Sequence, residues 1–283
     1  MKKLLIVGSG GQLGHLFIET ARLRDNLRVF AYPRSLLDIT AEEEVRDVFA
    51  EVEPDYCVNC AAYTAVDRAE NEPKKAQLIN ATGAANLAKA CAANDCRFLH
   101  FSTDYVYADE YNRPLLETDK TNPQSVYAKS KLVGEKEVFK ANPQSIIIRT
   151  SWVYSEYGQN FVLSMRKLGM EREQLRVVYD QIGSPTYARD LAEAGLDLLF
   201  YGTSAGVYNY SNSGVASWYD FCLAIHEISG ITDCQVTPIL SEDYPLPAQR
   251  PHFSLLDKSK ITEIIGSPRH WGEALKDCLD RIH

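Results

Sequence analysis

A tyrosine and a lysine stand four residues apart in SVYAKSK, residues 125–131. At that spacing two side chains share one face of a helix, so the phenol of Tyr127 and the ammonium of Lys131 point the same way, whereas Lys129 points elsewhere. The pattern suits a proton-transfer pair, and it equally suits a surface helix with a half-buried tyrosine. What stands upstream separates the two. The segment VGSGGQLG supplies Gly8, Gly10, Gly11 and Gly14. The spacing G-x-G-x-x-G fails because Leu13 occupies the last glycine position, but G-x-x-G-x-x-G fits through Gly8, Gly11 and Gly14. A turn of this kind lets backbone approach a pyrophosphate and aims a helix amino terminus at its charge. Two further segments, NCAAYTAVDRAE (59–70) and FSTDYVY (101–107), offer small residues, hydroxyls and a carboxylate. Each alone also reads as a loop cap, because Ser, Thr and Asp satisfy turn amides. Their recurrence at the ends of successive strands favours a ligand crevice.

The elements that would position these groups alternate along the first half. Apolar runs at 3–8, 27–32, 56–62, 97–103 and 144–154 read as strands, and amphipathic stretches at 13–24, 41–52, 74–94 and 127–142 read as helices. Near-continuous apolar strands separated by helices imply a parallel sheet covered on both faces. This is the doubly wound α/β (Rossmann) class, whose ligands bind outside the carboxyl ends of the strands. The second half is less regular. It has helical stretches near 160–169, 187–199 and 217–229, the last opened by the capping box Ser217-x-x-Asp220. The reading divides the chain into a dinucleotide-binding domain, 1–152, and a mainly substrate-binding domain, 153–283, partly interleaved with it.

Composition narrows the function classes. The chain has 283 residues, 45% apolar and 24% charged, ordinary for a soluble globular protein. A net charge of -8 argues against a nucleic-acid or anionic-membrane surface. No run approaches the roughly 18 apolar residues of a membrane span. MKKLLIVGSGG opens like a signal peptide, but its apolar run breaks into glycines, so it reads as a first strand in a cytoplasmic protein. Cys57 and Cys60 form a C-x-x-C inside a buried-strand pattern and read as small reduced side chains. With no histidine cluster among the six, no metal ligated by protein is expected.

The ordered set of motifs resembles the extended short-chain dehydrogenase/reductases and, within them, the dTDP-4-dehydrorhamnose reductase family. It comprises the glycine loop, NCAAYTAVDRAE, STDYVY, YAKSK, RTSWVY, DQIGSPT and RPHFSLLD, and runs nearly end to end. The resemblance implies reduction of the 4-keto group of a dTDP-sugar by NADPH or NADH, with a small-molecule nucleotide sugar as partner and a monomer or homodimer as the assembly. It makes Tyr127 the proton donor, Lys131 the group that lowers the phenol's pKa and reaches the nicotinamide ribose, and Thr103 the third member, with Ser102 a weaker candidate. An ammonium nearby favours phenolate, which brings a pKa of about 10 towards the operating range.

By the same resemblance Gly11, Gln12 and Leu13 border the pyrophosphate, Asp38 and Ile39 the adenine, and Ala62, Tyr63 and Thr64 the adenosine and phosphate side. Thr103, Asp104 and Trp152 would contact the sugar nucleotide, and Arg250 would face its diphosphate or form a surface ion pair. Cofactor choice has its own signal. An enzyme committed to NAD places an acid at the end of the second strand, where this chain has Tyr32. Two residues on, Arg34 could pair with a 2′-phosphate. Ala128 replaces the glycine that often follows the catalytic tyrosine, VYADEYNRP replaces a glycine-bearing loop, and GHLF in the first helix lacks the carboxylate of magnesium-bridged relatives. Two rivals use the same motifs: a reductase or epimerase of another nucleotide sugar, and a non-catalytic regulatory subunit of the methionine adenosyltransferase type.

Overall fold

The computed structural model describes residues 1–282. Its centre is a six-stranded parallel sheet. The strands are β1 (Lys2–Val7), β2 (Leu27–Tyr32), β3 (Tyr56–Asn59), β4 (Arg97–Thr103), β5 (Ile146–Thr150) and a sixth, Gly206–Tyr210. Their order across the sheet is β2, β1, β3, β4, β5 and then Gly206–Tyr210. The chain reverses direction of travel between β1 and β3, so a crevice opens at their carboxyl ends.

Alternate residues of each strand bury on opposite faces. Leu4 and Ile6 of β1 join Leu16, Phe17 and Leu191 on one side, under α1 (Gln12–Arg22) and the helix Ala188–Phe200. Leu5 and Val7 join Phe49, Leu87 and Phe98 on the other, under α2 (Glu42–Val52) and the helix Ala84–Ala93. Both faces being apolar explains why these strands lack polar alternation.

The structure departs from the sequence-based expectations in three places. The helix expected over 74–94 is three pieces: Pro73–Gln77, a wider π turn at Leu78–Gly83, and Ala84–Ala93. The strand expected to reach residue 62 ends at Asn59, because the following segment leaves the sheet to line the crevice. The apolar run 144–154 is broken after Thr150, where Trp152 takes a left-handed backbone (φ 48°) and Val153–Tyr154 pairs instead with Thr186–Tyr187. A left-handed tryptophan costs about 1–3 kcal/mol and persists only where its surroundings enforce it. The sixth strand and the helix Ala188–Phe200, both past residue 152, belong to the central sheet and to one of the layers that cover it.

Candidate active site

The glycine turn joins β1 to α1. Gly8 has φ 77°, and a Cβ there would strike the backbone of Ala61. A Cβ on Gly14 would stand 2.5 Å from the Gly8 carbonyl oxygen, so these two positions require glycine. Gly10 and Gly11 are not crowded in this way; they border open space. The residue capping α1 is Gly11, which offers no side-chain acceptor, and the first turn holds no acid. The leading amides of α1 are therefore disposed to receive an anion.

Below the turn lies a cavity of about 450 Å³ bordered by Gly8, Gly11, Arg34, Asp38, Ile39 and Ala62. A second, of about 230 Å³, is bordered by Gly11, Gln12, Leu13, Ala62 and Thr64 and by Ser102, Tyr127 and Lys131. Sharing Gly11, Ala61 and Ala62, the two form one groove from the second strand's end to the tyrosine–lysine pair. Arg34 is exposed at the rim of the first cavity. Asp38 is held by Thr40, whose amide and hydroxyl donate to Oδ1 at 2.9 and 2.7 Å. Those bonds, the amide's first, keep its carboxyl below the ordinary range, and Arg34 adds to the effect. Gln12 donates to the Val153 carbonyl at 3.2 Å, fixing the opening of α1 against the broken strand. Tyr63 is a correction. Its phenol donates to Glu72 (3.1 Å) and its ring packs with Ala69 and Ala76, and it borders neither cavity.

Tyr127 sits in the first turn of the helix Val126–Ala141, capped by Ser125, whose hydroxyl accepts from the Ala128 amide at 3.2 Å. Burial pushes its phenol up to about 12; the Asp104 carboxylate pushes the same way and a hydrogen bond with Thr103 pulls against both. Lys131 is 3% exposed and donates to the Phe101 carbonyl at 2.5 Å. Burial brings its ammonium down to about 8, opposed by Glu135 one turn on. The expected lowering of the phenol by Lys131 is not what this arrangement gives. The ammonium is turned to a backbone oxygen, and loss of water outweighs other influences on the tyrosine. Glu135 is itself held by Arg149 at 2.6 and 2.9 Å, which ties the helix to β5.

Thr103 ends β4 and donates to Asp104 Oδ1 at 3.0 Å while accepting from the Tyr105 amide. Asp104 is 3% exposed. Burial raises its carboxyl to about 7 against the opposing pull of Ser254, Thr103 and nearby amides, and its Oδ2 has no hydrogen-bond partner among the described residues. Ser102 borders the groove directly, with its hydroxyl unpaired among the described residues.

Trp152 lies flat against Trp218, centroids 3.7 Å apart and planes within 12°, so one face of the expected apolar wall is already covered. Trp218 escaped the sequence reading, although its place at the head of a capped helix was visible. Arg250 makes the ion pair that was its alternative role, donating to Asp67 at 2.7 and 3.1 Å. An incoming diphosphate would compete with that carboxylate. Asn80 and Ser130 were also missed, since nothing in their spacing distinguishes them from ordinary helix polar residues.

The family described as RmlD substrate binding domain matches residues 1–283. The chain is 42% identical over 281 residues to the spore coat polysaccharide biosynthesis protein SpsK of Bacillus subtilis, covering 99% of this chain and 97% of that protein. It is 40% identical over 284 residues to the dTDP-4-dehydrorhamnose reductase of Mycolicibacterium smegmatis, covering 99% and 86%. The crystal structure of the dTDP-4-dehydrorhamnose reductase of Bacillus anthracis in complex with NADP superimposes with a TM-score of 0.94 at 36% identity, covering 99% of each chain.

Proposed function

The chain belongs to the RmlD substrate binding domain family, and from that premise we propose that it reduces the 4-keto group of dTDP-4-dehydro-β-L-rhamnose, giving dTDP-β-L-rhamnose, with NADPH or NADH as reductant. The observation that carries this reading is the continuous groove from the uncapped start of α1 to Tyr127 and Lys131. Its residues fit a dinucleotide: Gly8 and Gly14 sit where any side chain would collide with backbone, leaving the turn close to the groove. When bound, NADPH supplies the hydride.

The protein's own groups do the rest. A ketone that gains hydride needs a proton for its developing alkoxide. Tyr127, with its phenol pushed up to about 12, holds that proton throughout the neutral range, as a donor must. An alkoxide is far more basic than phenolate, so the transfer runs downhill. Thr103 and Ser102 offer hydroxyls beside the donor to orient the sugar's oxygen, and Asp104 offers a carboxylate for a sugar hydroxyl. Lys131, mostly charged at pH 7 with a pKa of about 8, would hold the ribose hydroxyls. Trp152 and Trp218 together would close the sugar side, and Arg250 would meet the diphosphate by exchanging Asp67 for it. We place the reaction in the cytoplasm, where the seven free thiols stay reduced.

The test mixes the purified chain with NADPH and dTDP-4-dehydro-rhamnose and follows the nicotinamide absorbance. Oxidation should match product stoichiometrically, and Tyr127→Phe should bind NADPH normally while turnover falls by at least about 10²-fold. Turnover only with another keto-sugar would favour the sister reductases or epimerases. Tight NADPH binding with no turnover on any would favour the regulatory-subunit role. Near-normal turnover in Tyr127→Phe would overturn the proton-donor assignment.

A further inference from the structure

Tyr127, Lys131 and Glu135 recur every four residues, so one stripe of the helix Val126–Ala141 carries a phenol, an ammonium and a carboxylate. Tyr127 and Lys131 border the groove. Glu135, 3% exposed, borders neither cavity, and the chemistry above gives it no task. Both its oxygens are taken by Arg149 of β5: Nε donates to Oε1 at 2.9 Å and Nη2 to Oε2 at 2.6 Å. Arg149 is 5% exposed, and the rest of its guanidinium is engaged as well. Nη1 donates to the Glu117 carbonyl at 3.3 Å, and the central carbon lies 4.7 Å from the Tyr107 ring centre.

As a mere strut between helix and strand, this pair is a poor choice. Charges taken out of water lose solvation that their attraction barely restores, and apolar side chains of the same volume often hold such a junction as well or better. Lys131 supplies a further reason for it. Lys131 is 3% exposed, and one of its three hydrogens goes to the Phe101 carbonyl. Burial pulls its ammonium towards the neutral amine, and Glu135 is the charged group that opposes this. Its other neighbours supply no such charge. His100 faces it from β4 and is kept neutral by burial, Tyr127 holds its proton through the neutral range, and Asp104 acts on Tyr127. A carboxylate placed this deep needs a cation and donors to meet it, and Arg149 supplies both. The order is thus cation, anion, cation: Arg149, Glu135, Lys131.

We infer that Glu135, held by Arg149, is a positioning residue that keeps Lys131 in its cationic form for the cofactor at neutral pH. The inference rests on Lys131 holding the nicotinamide ribose, as proposed above. The test titrates Lys131 directly, by NMR of the lysine ε carbons in isotope-labelled protein, its signal assigned from Lys131→Arg. Wild type should titrate at about 8. Glu135→Gln keeps the shape and an acceptor for Arg149 but removes the charge, so the midpoint should fall by about one pH unit, the lower end of what a nearby opposite charge contributes. Arg149→Lys keeps the cation and loses the planar fork, so Tm should fall while the midpoint stays. NADPH affinity, read by calorimetry without sugar, should follow the ammonium. At pH 8 about half of Lys131 is charged in wild type and about a tenth in Glu135→Gln, so Kd should rise about fivefold, and the two proteins should converge below about pH 6.

An unmoved midpoint in folded Glu135→Gln overturns the inference. So does an equal fall in Arg149→Lys, because lost packing and not lost charge would then be the cause. A lowered midpoint with NADPH affinity unmoved at every pH would leave the charge control standing and remove the ribose contact on which its purpose rests. Should Glu135→Gln fail to fold, the double variant Glu135→Leu with Arg149→Met, which replaces both charges by apolar side chains, decides by the same midpoint. A fall supports the inference, and no change overturns it.

Discussion

Asp104→Asn offers a test whose magnitude follows from burial. Asp104 is 3% exposed and its carboxyl titrates at about 7 instead of its ordinary 3.8, first because burial disfavours the charge. At about 1.36 kcal/mol per pH unit, that displacement is worth roughly 4 kcal/mol as an order of magnitude. The sign runs against the usual carboxylate. Between pH 4 and 7 the unfolded chain has released this proton and the folded chain still holds it, so the folded chain binds more protons. Stability from this group is fully present below pH 4, falls as pH rises, and levels off above 7. Asparagine has nearly the same shape and no charge, so it is free of this loss. Urea unfolding of wild type and variant, followed by tryptophan fluorescence from pH 4 to 9, isolates the effect in the difference between them. Any constant offset from replacing an oxygen by an amide drops out. The difference should grow in favour of the variant by roughly 4 kcal/mol between pH 4 and 7 and stay constant above. A difference independent of pH would refute the buried, late-titrating carboxylate and with it the site electrostatics drawn from it.

Further predictions concern the cofactor and the sugar. Arg34→Ala should lower kcat/KM with NADPH about tenfold and change it little with NADH, since hydrogen bonds to charged groups are worth about 1.5–3 kcal/mol; equal losses with both would show that Arg34 does not read the 2′-phosphate. Lys131→Ala should damage both NADPH binding and kcat, the latter by about 10²-fold or more, and a defect confined to kcat would remove the ribose contact. Trp152→Ala should weaken the sugar nucleotide more than NADPH in paired calorimetric titrations. If both affinities survive and only Tm falls, the Trp152–Trp218 stack is core packing.

Much of this protein was legible in its sequence. Apolar runs of strand length separated by helical periods require a covered parallel sheet, because both faces of each strand bury. Glycines at 8 and 14 follow from a backbone turn too tight for any Cβ, and their spacing marks it. The tyrosine–lysine pair followed from helical geometry. What only the fold decided lies in partners that are distant along the chain. Arg250 is spent on Asp67, and Trp152 leans on Trp218, through contacts that no local period encodes. Tyr63 turns its phenol to Glu72, nine residues on, while Ala62 and Thr64 border the groove. The ionisation of Tyr127, Lys131 and Asp104 was equally hidden: residue type sets the ordinary pKa, but the water lost on burial sets the shift, and burial is a property of the whole packing.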